Sequence, residues 1–127
     1  MRYNEILRLR RKPRHDEEDL QIACVRWFDF QYPQYRNLLH HSPNGGKRNV
    51  REAARFKAMG TRAGFPDLLL LVPRQPYNFL AIEMKTSKGR QSDNQKQMQA
   101  DMEAQGGIYV VCRSLDEFIE IIKSYKL

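Results

Sequence analysis

Asp67, Glu83 and Lys85 are the residues of this sequence whose types and spacing point most directly to chemistry. Two carboxylates that meet in space can bind Mg²⁺ or Mn²⁺, which favour oxygen ligands, take few of them from the protein and keep several waters. A lysine beside such an ion can position or deprotonate the attacking water, or stabilise the charge that develops on a phosphate. These roles require a fold that brings three residues distant in sequence to one place.

A β-hairpin would bring them together. Two apolar runs of strand length, 68–72 and 79–85, flank a polar connector with two prolines, and this pattern predicts a hairpin with a long loop. Antiparallel pairing places Asp67 beside Glu83, and a register shifted by a residue still leaves the two carboxylates close together. The alternative is an ordinary salt bridge between Glu83 and Lys85, which share one face of the second strand and would contribute little at a surface.

The same residues are similar to a known nuclease signature. Pro66-Asp67, followed after a short hairpin by Glu83-x-Lys85, resembles the PD-(D/E)xK pattern. The longer constellation Gly64-x-Pro66-Asp67-Leu68, with Gly89-Arg90 and Gln95 after it, resembles the virus-type replication–repair nuclease family, called VRR-NUC. The short signature alone is degenerate, whereas the longer constellation in this order is more specific.

The resemblance extends from Asp16 to the C-terminus, and it implies a fold, an activity and a set of site residues. The implied fold is α/β and restriction-endonuclease-like, with a mixed central β-sheet flanked by helices. The implied activity is that of a Mg²⁺- or Mn²⁺-dependent deoxyribonuclease that hydrolyses phosphodiesters. The implied catalytic residues are Asp67, Glu83, Lys85 and Gln95, and the implied metal ligands are Glu17, Asp67, Glu83 and the carbonyl of Met84.

The acidic residue of the first helix depends on a pattern of the family. Its members carry a glutamate there, often one turn before a glutamine, and Glu17 with Gln21 fits this arrangement better than Glu18 does. On a helical wheel Glu17 falls on the apolar face that also carries Cys24 and Phe28. The alternative explanation is the favourable interaction of any carboxylate with a helix N-terminus.

Basic residues are concentrated in two blocks. The net charge is +7, and such a balance favours polyanions, above all nucleic acid. Residues 1–14 hold six basic side chains against one acid, and residues 36–62 hold seven against one. A charge run is usually a solvated surface, but two blocks that lead into a candidate metal site favour phosphate contacts. The residues predicted to bind DNA are His41, Asn44, Lys47, Arg48, Arg51, Arg55, Arg62, Lys88 and Arg90.

His41 and Asn44 belong to that set for a reason of their own. The sequence His41-x-x-Asn44-Gly45 resembles a recurring element of phage-type members of the family. It implies a place near the cleft, where either side chain contacts phosphate or orders water. The alternative is a histidine that merely ends a strand before the turn at 42–46.

The periodic segments alternate between helix and strand, which predicts one nuclease domain over residues 15–127, preceded by a basic arm over residues 1–14. Asn49 is expected to cap the second helix, Ser92 or Asp93 the third, and Ser114 the last, where Glu117 has capping-box spacing. The first two helices are predicted over 16–30 and 50–59. The third is predicted to run from its cap at Ser92 or Asp93 to Ala104, and the last to begin at Ser114. The strands are predicted over 35–41, 68–72, 79–85 and 108–112.

The third helix offers one apolar face for packing. Gln95, Met98, Gln99 and Met102 recur at helical spacing and should lie on that face. Gln95 would then meet the active site from the start of the helix. Without the family resemblance, an ordinary solvated glutamine would be the preferred explanation.

Several classes of protein are disfavoured. No run approaches the ~20 apolar residues of a membrane span, and the N-terminal residues lack the apolar region of a secretory signal. Cys24 and Cys112 are far apart and without zinc-finger spacing, so we expect buried thiols in a reducing compartment. Together these features predict a cytoplasmic protein, and the family resemblance implies that the cytoplasm is that of a bacterium or a phage-infected cell.

The prediction of the substrate depends on the family resemblance alone. Small stand-alone members of the family look like homodimers that act on branched DNA, including Holliday junctions. The alternatives are a nuclease acting on flaps or linear duplex, and a DNA-binding module without catalytic activity. A sequence-specific restriction enzyme is disfavoured because 127 residues leave little room for a base-reading element.

Overall fold

The computed structural model describes residues 16–43 and 49–127. The order of helices and strands follows the prediction, whereas the expected basic arm at 1–14 lies outside the described residues. The elements are α1 (Asp16–Gln31), a 3-10 helix (Pro33–Leu38), β1 (Leu39–His41), α2 (Val50–Ala58), β2 (Leu68–Leu70), β3 (Leu80–Met84), α3 (Asp93–Ala104), β4 (Ile108–Cys112) and α4 (Leu115–Ser124).

The four strands form one mixed sheet in the order β1-β2-β3-β4. The first three strands are antiparallel, and β4 runs parallel to β3 after the crossover through α3. Leu68 pairs with Ile82 and Leu70 with Leu80. The predicted hairpin is therefore confirmed, and one step further along this register Asp67 lies opposite Glu83.

The main core lies between one face of the sheet and the helices α1 and α4. Leu68, Leu70 and Ile82 point to this face, where Phe28 of α1 and Phe118 of α4 are fully buried against them. Burial of each such side chain contributes roughly 1.5–3 kcal/mol. Because side chains alternate along a strand, the neighbours of these residues on β3 point to the opposite face, which α3 covers.

The half-buried face of α3 is the predicted one. Gln95, Met98, Gln99 and Met102 are partly buried, and the other residues of the helix are exposed. The two cysteines are free and buried, as expected. No helix among residues 16–43 and 49–127 is long and apolar enough to cross a membrane.

The predicted strand over 35–41 is wrong for most of its length. Residues Pro33–Leu38 form a 3-10 helix, and only Leu39–His41 pair with β2. Pro33 at the start has a fixed φ that suits a helical turn. Tyr35 donates its backbone N–H to the carbonyl of Tyr32 in the same turn. A strand would lose that local bond, and sequence alternation alone does not reveal it.

The strands of the hairpin are also shorter than predicted. The second strand ends at Leu70, although the N–H of Leu71 still bonds to the carbonyl of Leu38. Pro73 has no N–H to continue the ladder, and Arg74 and Tyr77 then close the connector with two backbone bonds of 2.9 and 2.7 Å.

The helix caps are largely as predicted. The Asn49 side chain accepts from the N–H of Glu52, and Ser114 accepts from the N–H of Glu117. The reciprocal half of a capping box at Ser114 is absent among the described bonds, because the carboxylate of Glu117 accepts the N–H of Arg113 instead. The complete capping box is at the start of α3, between Ser92 and Gln95.

Candidate active site

The hairpin brings the two carboxyls together on the face covered by α3. Asp67 precedes the first residue of β2, and its Oδ2 accepts the backbone N–H of Met84 at 2.7 Å. Glu83 is the buried charged residue of β3, with 4% of its surface exposed. Met84 is the neighbour of Glu83 on β3, so the Asp67 carboxyl lies close enough to raise the pKa of the Glu83 carboxyl by its charge. A buried acid in this position needs a proton or a cation, because two adjacent negative charges repel one another.

Glu83 is held from three sides. Its Oε1 accepts a hydrogen bond from Gln95 Nε2 at 2.8 Å and lies 3.9 Å from Lys85 Nζ. Its Oε2 accepts from the hydroxyl of Tyr109 at 3.3 Å. These three contacts hold the side chain in one orientation.

The environment raises the pKa of Glu83 to about 8. Burial is the largest cause, and the charge and hydrogen bond of Asp67 come next. Lys85 and Tyr109 act in the opposite direction but do not compensate. In the protein without metal, Glu83 thus keeps a proton near neutral pH.

This donor set fits a divalent metal ion. Asp67 and Glu83 supply oxygen ligands on adjacent strands, which is the ligand chemistry of Mg²⁺ and Mn²⁺. Met84 lies next to Glu83, with its backbone N–H already bonded to Asp67. A proton shared within a carboxyl pair is the usual substitute for the missing positive charge at such a site.

Gln95 reaches Glu83 because of its place in the capping box of α3. Its Oε1 accepts the N–H of Ser92 at 2.9 Å, and its own N–H donates to Ser92 Oγ at 3.2 Å. The carbonyl oxygen of the side-chain amide is thereby used, which leaves the NH₂ group to donate to Glu83. One glutamine both starts the helix and orients the acid.

Replacing Gln95 with alanine should affect both the stability of the start of α3 and the orientation of Glu83. Loss of the cap bond should cost ~0.5–2 kcal/mol of stability, and the loss of the donor to Glu83 should also weaken Mn²⁺ binding. Urea denaturation and calorimetry measure the two effects. The matched control is Glu117→Ala, which removes a comparable bond at the start of α4 but should leave Mn²⁺ binding unchanged. Equal Mn²⁺ affinities in the two variants would contradict the second role.

Gly64 allows the loop before Asp67 to lie against the start of α3. Its φ is 81°, in the left-handed region, and a Cβ at this position would overlap the backbone of Asn94 and Gln95. The absence of a side chain therefore sets the distance between the Asp67 loop and the capping box.

The replacement Gly64→Ala should destabilise the protein more than Gly60→Ala. Both glycines have a positive φ, but a Cβ at Gly60 would meet no atom within 4 Å. Gly60→Ala should cost only the ~1–2 kcal/mol of left-handed strain, whereas Gly64→Ala adds a backbone overlap. Thermal melting of both variants checks this. Equal losses would show that the loop does not pack tightly on α3.

Lys85 follows β3 and points toward Glu83. Its side chain is 14% exposed, and its N–H donates to the carbonyl of Cys112 at 2.9 Å. The turn after Lys85 is tied down by Arg113, whose Nη1 donates to the carbonyls of Thr86 and Gly89 at 2.7 and 2.6 Å. Hydrogen bonds to backbone carbonyls therefore hold both Lys85 and the turn that follows it.

Tyr109 and Arg113 are the site residues that sequence reasoning missed. Both belong to β4 or its end, and the pairing of β4 beside β3 brings them to the site. A tyrosine inside a short buried strand is a usable signal, because a buried hydroxyl needs a partner. The sequence did not say which strand lies beside β4, so the partner could not be named.

Glu17 is not gathered with the carboxyl pair. It lies exposed in the first turn of α1, on the helix face that carries Cys24 and Phe28 further along. Among residues 16–43 and 49–127, no group of three or more His, Cys, Asp and Glu side chains is arranged to hold a metal ion. The role of Glu17 as a metal ligand stays a prediction.

Six of the predicted DNA-binding residues lie within the described part of the chain, and one of them contacts the loop of Asp67. His41 ends β1, and its Nδ1 donates to the carbonyl of Asp67 at 2.7 Å, so it lies beside the candidate site. The exposed basic residues are Arg51, Arg55, Arg62, Lys88 and Arg90. The other predicted residues, Asn44, Lys47 and Arg48, lie outside the described ranges.

The fold of this chain is similar to that of a protein of known structure. A solved structure described as a "VRR_NUC domain protein" is similar to this chain, with a TM-score of 0.77, 29% sequence identity and coverage of 91% of each chain. The fold is therefore the mixed α/β fold that the sequence implied. No curated protein matches the chain.

The family model of the VRR-NUC domain matches residues 2–116, which is most of the sequence. The chain belongs to the VRR-NUC family, and it is a nuclease-family member. Nucleases of this kind generally use divalent metals and act on DNA, which agrees with the carboxyl pair and the basic surface.

Proposed function

We propose that this protein is a Mg²⁺- or Mn²⁺-dependent deoxyribonuclease that hydrolyses phosphodiesters in branched DNA. The observation that carries the proposal is the position of Asp67, bonded to the N–H of Met84 at 2.7 Å, beside the buried carboxyl of Glu83, with the amine of Lys85 3.9 Å from Glu83. An acid pair in such a place lowers the stability of the metal-free fold, so its presence favours a role in metal binding over a structural one.

Asp67, Glu83 and the carbonyl of Met84 would hold the metal, with Glu17 as a further ligand directly or through water. When bound, the ion supplies Lewis-acid chemistry: it polarises a phosphoryl oxygen and lowers the pKa of a water molecule. Lys85 orients or deprotonates the attacking water from its place beside Glu83. Gln95 keeps Glu83 in position, and the hydroxyl of Tyr109 holds the second oxygen of the same carboxylate.

The basic surface supplies the affinity for DNA. The arginines of α2 and of the loop after it, together with Lys88 and Arg90, are exposed and would contact phosphates on both sides of the cleaved bond. His41 beside Asp67 is placed to contact the phosphate next to the metal. Affinity from such contacts falls steeply with salt concentration.

The preference for branched DNA is supported by the likeness to small family members. A homodimer would present two active sites to two strands of a junction, because a two-fold axis repeats each site. The proposal places one nuclease domain over residues 15–127, a DNA-tracking arm over residues 1–14, and the protein in the cytoplasm, where its buried thiols stay reduced.

Cleavage assays on four linear and branched substrates test the proposal. Labelled linear duplex, flap, splayed and four-way junction DNA of the same sequence are incubated with Mg²⁺, with Mn²⁺ or with EDTA. We expect metal-dependent cleavage that is fastest on the four-way junction. Faster cleavage of flap or linear duplex would reject the branched substrate but keep the nuclease, and DNA binding without cleavage in either metal would reject the nuclease.

A further inference from the structure

A cleft beside the carboxyl pair is not used by the chemistry described above. It lies between β1, α2 and the loop that leads to Asp67, and its volume is about 410 Å³. Phe56 and Phe65 provide aromatic surface, Met59 adds apolar surface, and His40 and Arg62 bring polar and cationic groups. We call it the Phe56 cleft.

The Phe56 cleft opens on the same face of the sheet as the candidate site. His40 pairs with Leu69, so their side chains share one face, and alternation places Asp67 on that face too. Diagonal neighbours across an antiparallel pair, such as His40 and Asp67, are about 7–8 Å apart. Phe65 precedes Asp67 by two residues. The cleft therefore lies on the face of the sheet that carries the carboxyl pair, next to the loop that leads to Asp67.

Backbone bonds define the shape of the cleft. Thr61 donates its N–H to the carbonyl of Phe56 at 2.9 Å, and Phe65 donates to the carbonyl of Arg62 at 3.4 Å. Gly60, with a φ of 111°, makes the reversal between α2 and the loop possible. The aromatic and cationic groups are thus presented together by one folded segment.

The chemistry of this lining fits a nucleobase. Aromatic side chains stack on the faces of unpaired bases without sequence preference, and arginine beside them contacts the phosphate or stacks on the base. Methionine adapts to a flat ring of variable size. The helix next to the cleft also carries Arg51 and Arg55 against a single acid, Glu52, so the rim is complementary to a polyanion.

We propose that the Phe56 cleft holds an unpaired nucleobase of the substrate strand while the neighbouring phosphate lies at the carboxyl pair. This inference rests on the proposed function, because it places the base relative to the cleaved phosphate. A base inside a continuous duplex is stacked and paired, and taking it out costs free energy. The cleft thereby favours DNA in which a base next to the cleaved bond is already unpaired, as at a branch point.

Binding of two single-stranded oligomers tests the cleft separately from cleavage. A fluorescein-labelled oligo(dT) and an abasic oligomer of the same length carry the same phosphates, and only the first carries bases. Anisotropy is measured with the full chain in EDTA, so that no cleavage occurs. We expect oligo(dT) to bind about tenfold more tightly than the abasic oligomer.

Two cleft variants and one control show whether the preference for oligo(dT) over the abasic oligomer comes from the Phe56 cleft. Phe56→Ala and Met59→Ala should bring the two affinities close to equality, and Met59 is 76% exposed, so its replacement should not disturb folding. The control is Phe30→Ala, which removes an exposed aromatic ring of α1, 82% exposed, and should keep the preference.

The possible outcomes distinguish the failure of the base-binding inference from the failure of the proposed nuclease activity. Equal binding of both oligomers by the unmodified protein, no binding of either, or the same preference in Phe56→Ala and Met59→Ala would overturn the inference. Loss of the preference in Phe30→Ala as well would also overturn it, because the effect would not belong to the cleft. A preference confined to the cleft, in a protein that never cleaves DNA, would support the base site and reject the nuclease.

Discussion

Replacing Lys85 with methionine is expected to slow DNA cleavage by about 10²–10⁴-fold, the usual contribution of a positioned proton-transfer group. The amine lies 3.9 Å from Glu83 and has 14% of its side chain exposed, so it is within reach of a water molecule bound beside the carboxyl pair. Methionine keeps the length and apolar character of the side chain. Single-turnover cleavage of a four-way junction with saturating Mn²⁺ measures the change.

The same variant should keep its affinity for Mn²⁺, because the carboxyls that would bind the ion are still present. The control is Lys123→Met, which removes the same charge from the exposed end of α4 and should cleave at the unmodified rate. A Lys85→Met protein that cleaves as fast as Lys123→Met would mean that the amine serves only to balance the charge of Glu83.

Replacing Glu83 with glutamine is expected to stabilise the metal-free protein at pH 8 while it abolishes cleavage. The pKa of Glu83 rises from an ordinary 4.5 to about 8 in the folded state. Between these values the folded protein holds a proton that the unfolded chain has lost, so stability falls as the pH rises from 4.5 to 8. The size of this loss is on the order of a few kcal/mol. Glutamine keeps the shape of the protonated acid and does not titrate.

Urea denaturation in EDTA at several pH values checks this expectation. The unmodified protein should lose stability between pH 5 and pH 8, and Glu83→Gln should lose much less, because the other groups still titrate but this one does not. Mn²⁺ should restore the stability of the unmodified protein at pH 8, since a ligand that binds only the folded state stabilises it. Parallel pH profiles for the two proteins would show that Glu83 is not held at a raised pKa.

The hairpin could be predicted because it depends on local patterns, whereas its register was left uncertain by about one residue. Two apolar runs, a proline-containing connector and the alternation of side chains are enough to place Asp67 close to Glu83, and pairing of Leu68 with Ile82 then fixes the register. The face of α3 that carries Gln95 follows from helical spacing in the same way. The hydrogen bond from Gln95 to Glu83 does not follow from spacing, because without the family resemblance a solvated glutamine was the preferred explanation.

The site residues that the sequence did not predict reach the site through contacts between segments far apart in the chain. Tyr109 reaches Glu83 only because β4 lies beside β3, and Arg113 reaches the turn after Lys85 for the same reason. Strand order across a crossover does not follow from periodicity. The 3-10 helix at Pro33–Leu38 replaced a predicted strand because short-range bonds outweighed alternation.

The central claim is that Asp67 and Glu83 together bind a divalent metal ion. Isothermal calorimetry of Mn²⁺ at pH 8 tests it most directly, with the unmodified protein, Asp67→Asn and the control Asp116→Asn, an exposed carboxylate in the first turn of α4. We expect binding in the unmodified protein and in Asp116→Asn, and at least about a hundredfold weaker binding in Asp67→Asn, because a lost ligand costs at least as much as a lost supporting bond. Equal Mn²⁺ affinity in all three proteins, or none in the unmodified protein, would contradict the account.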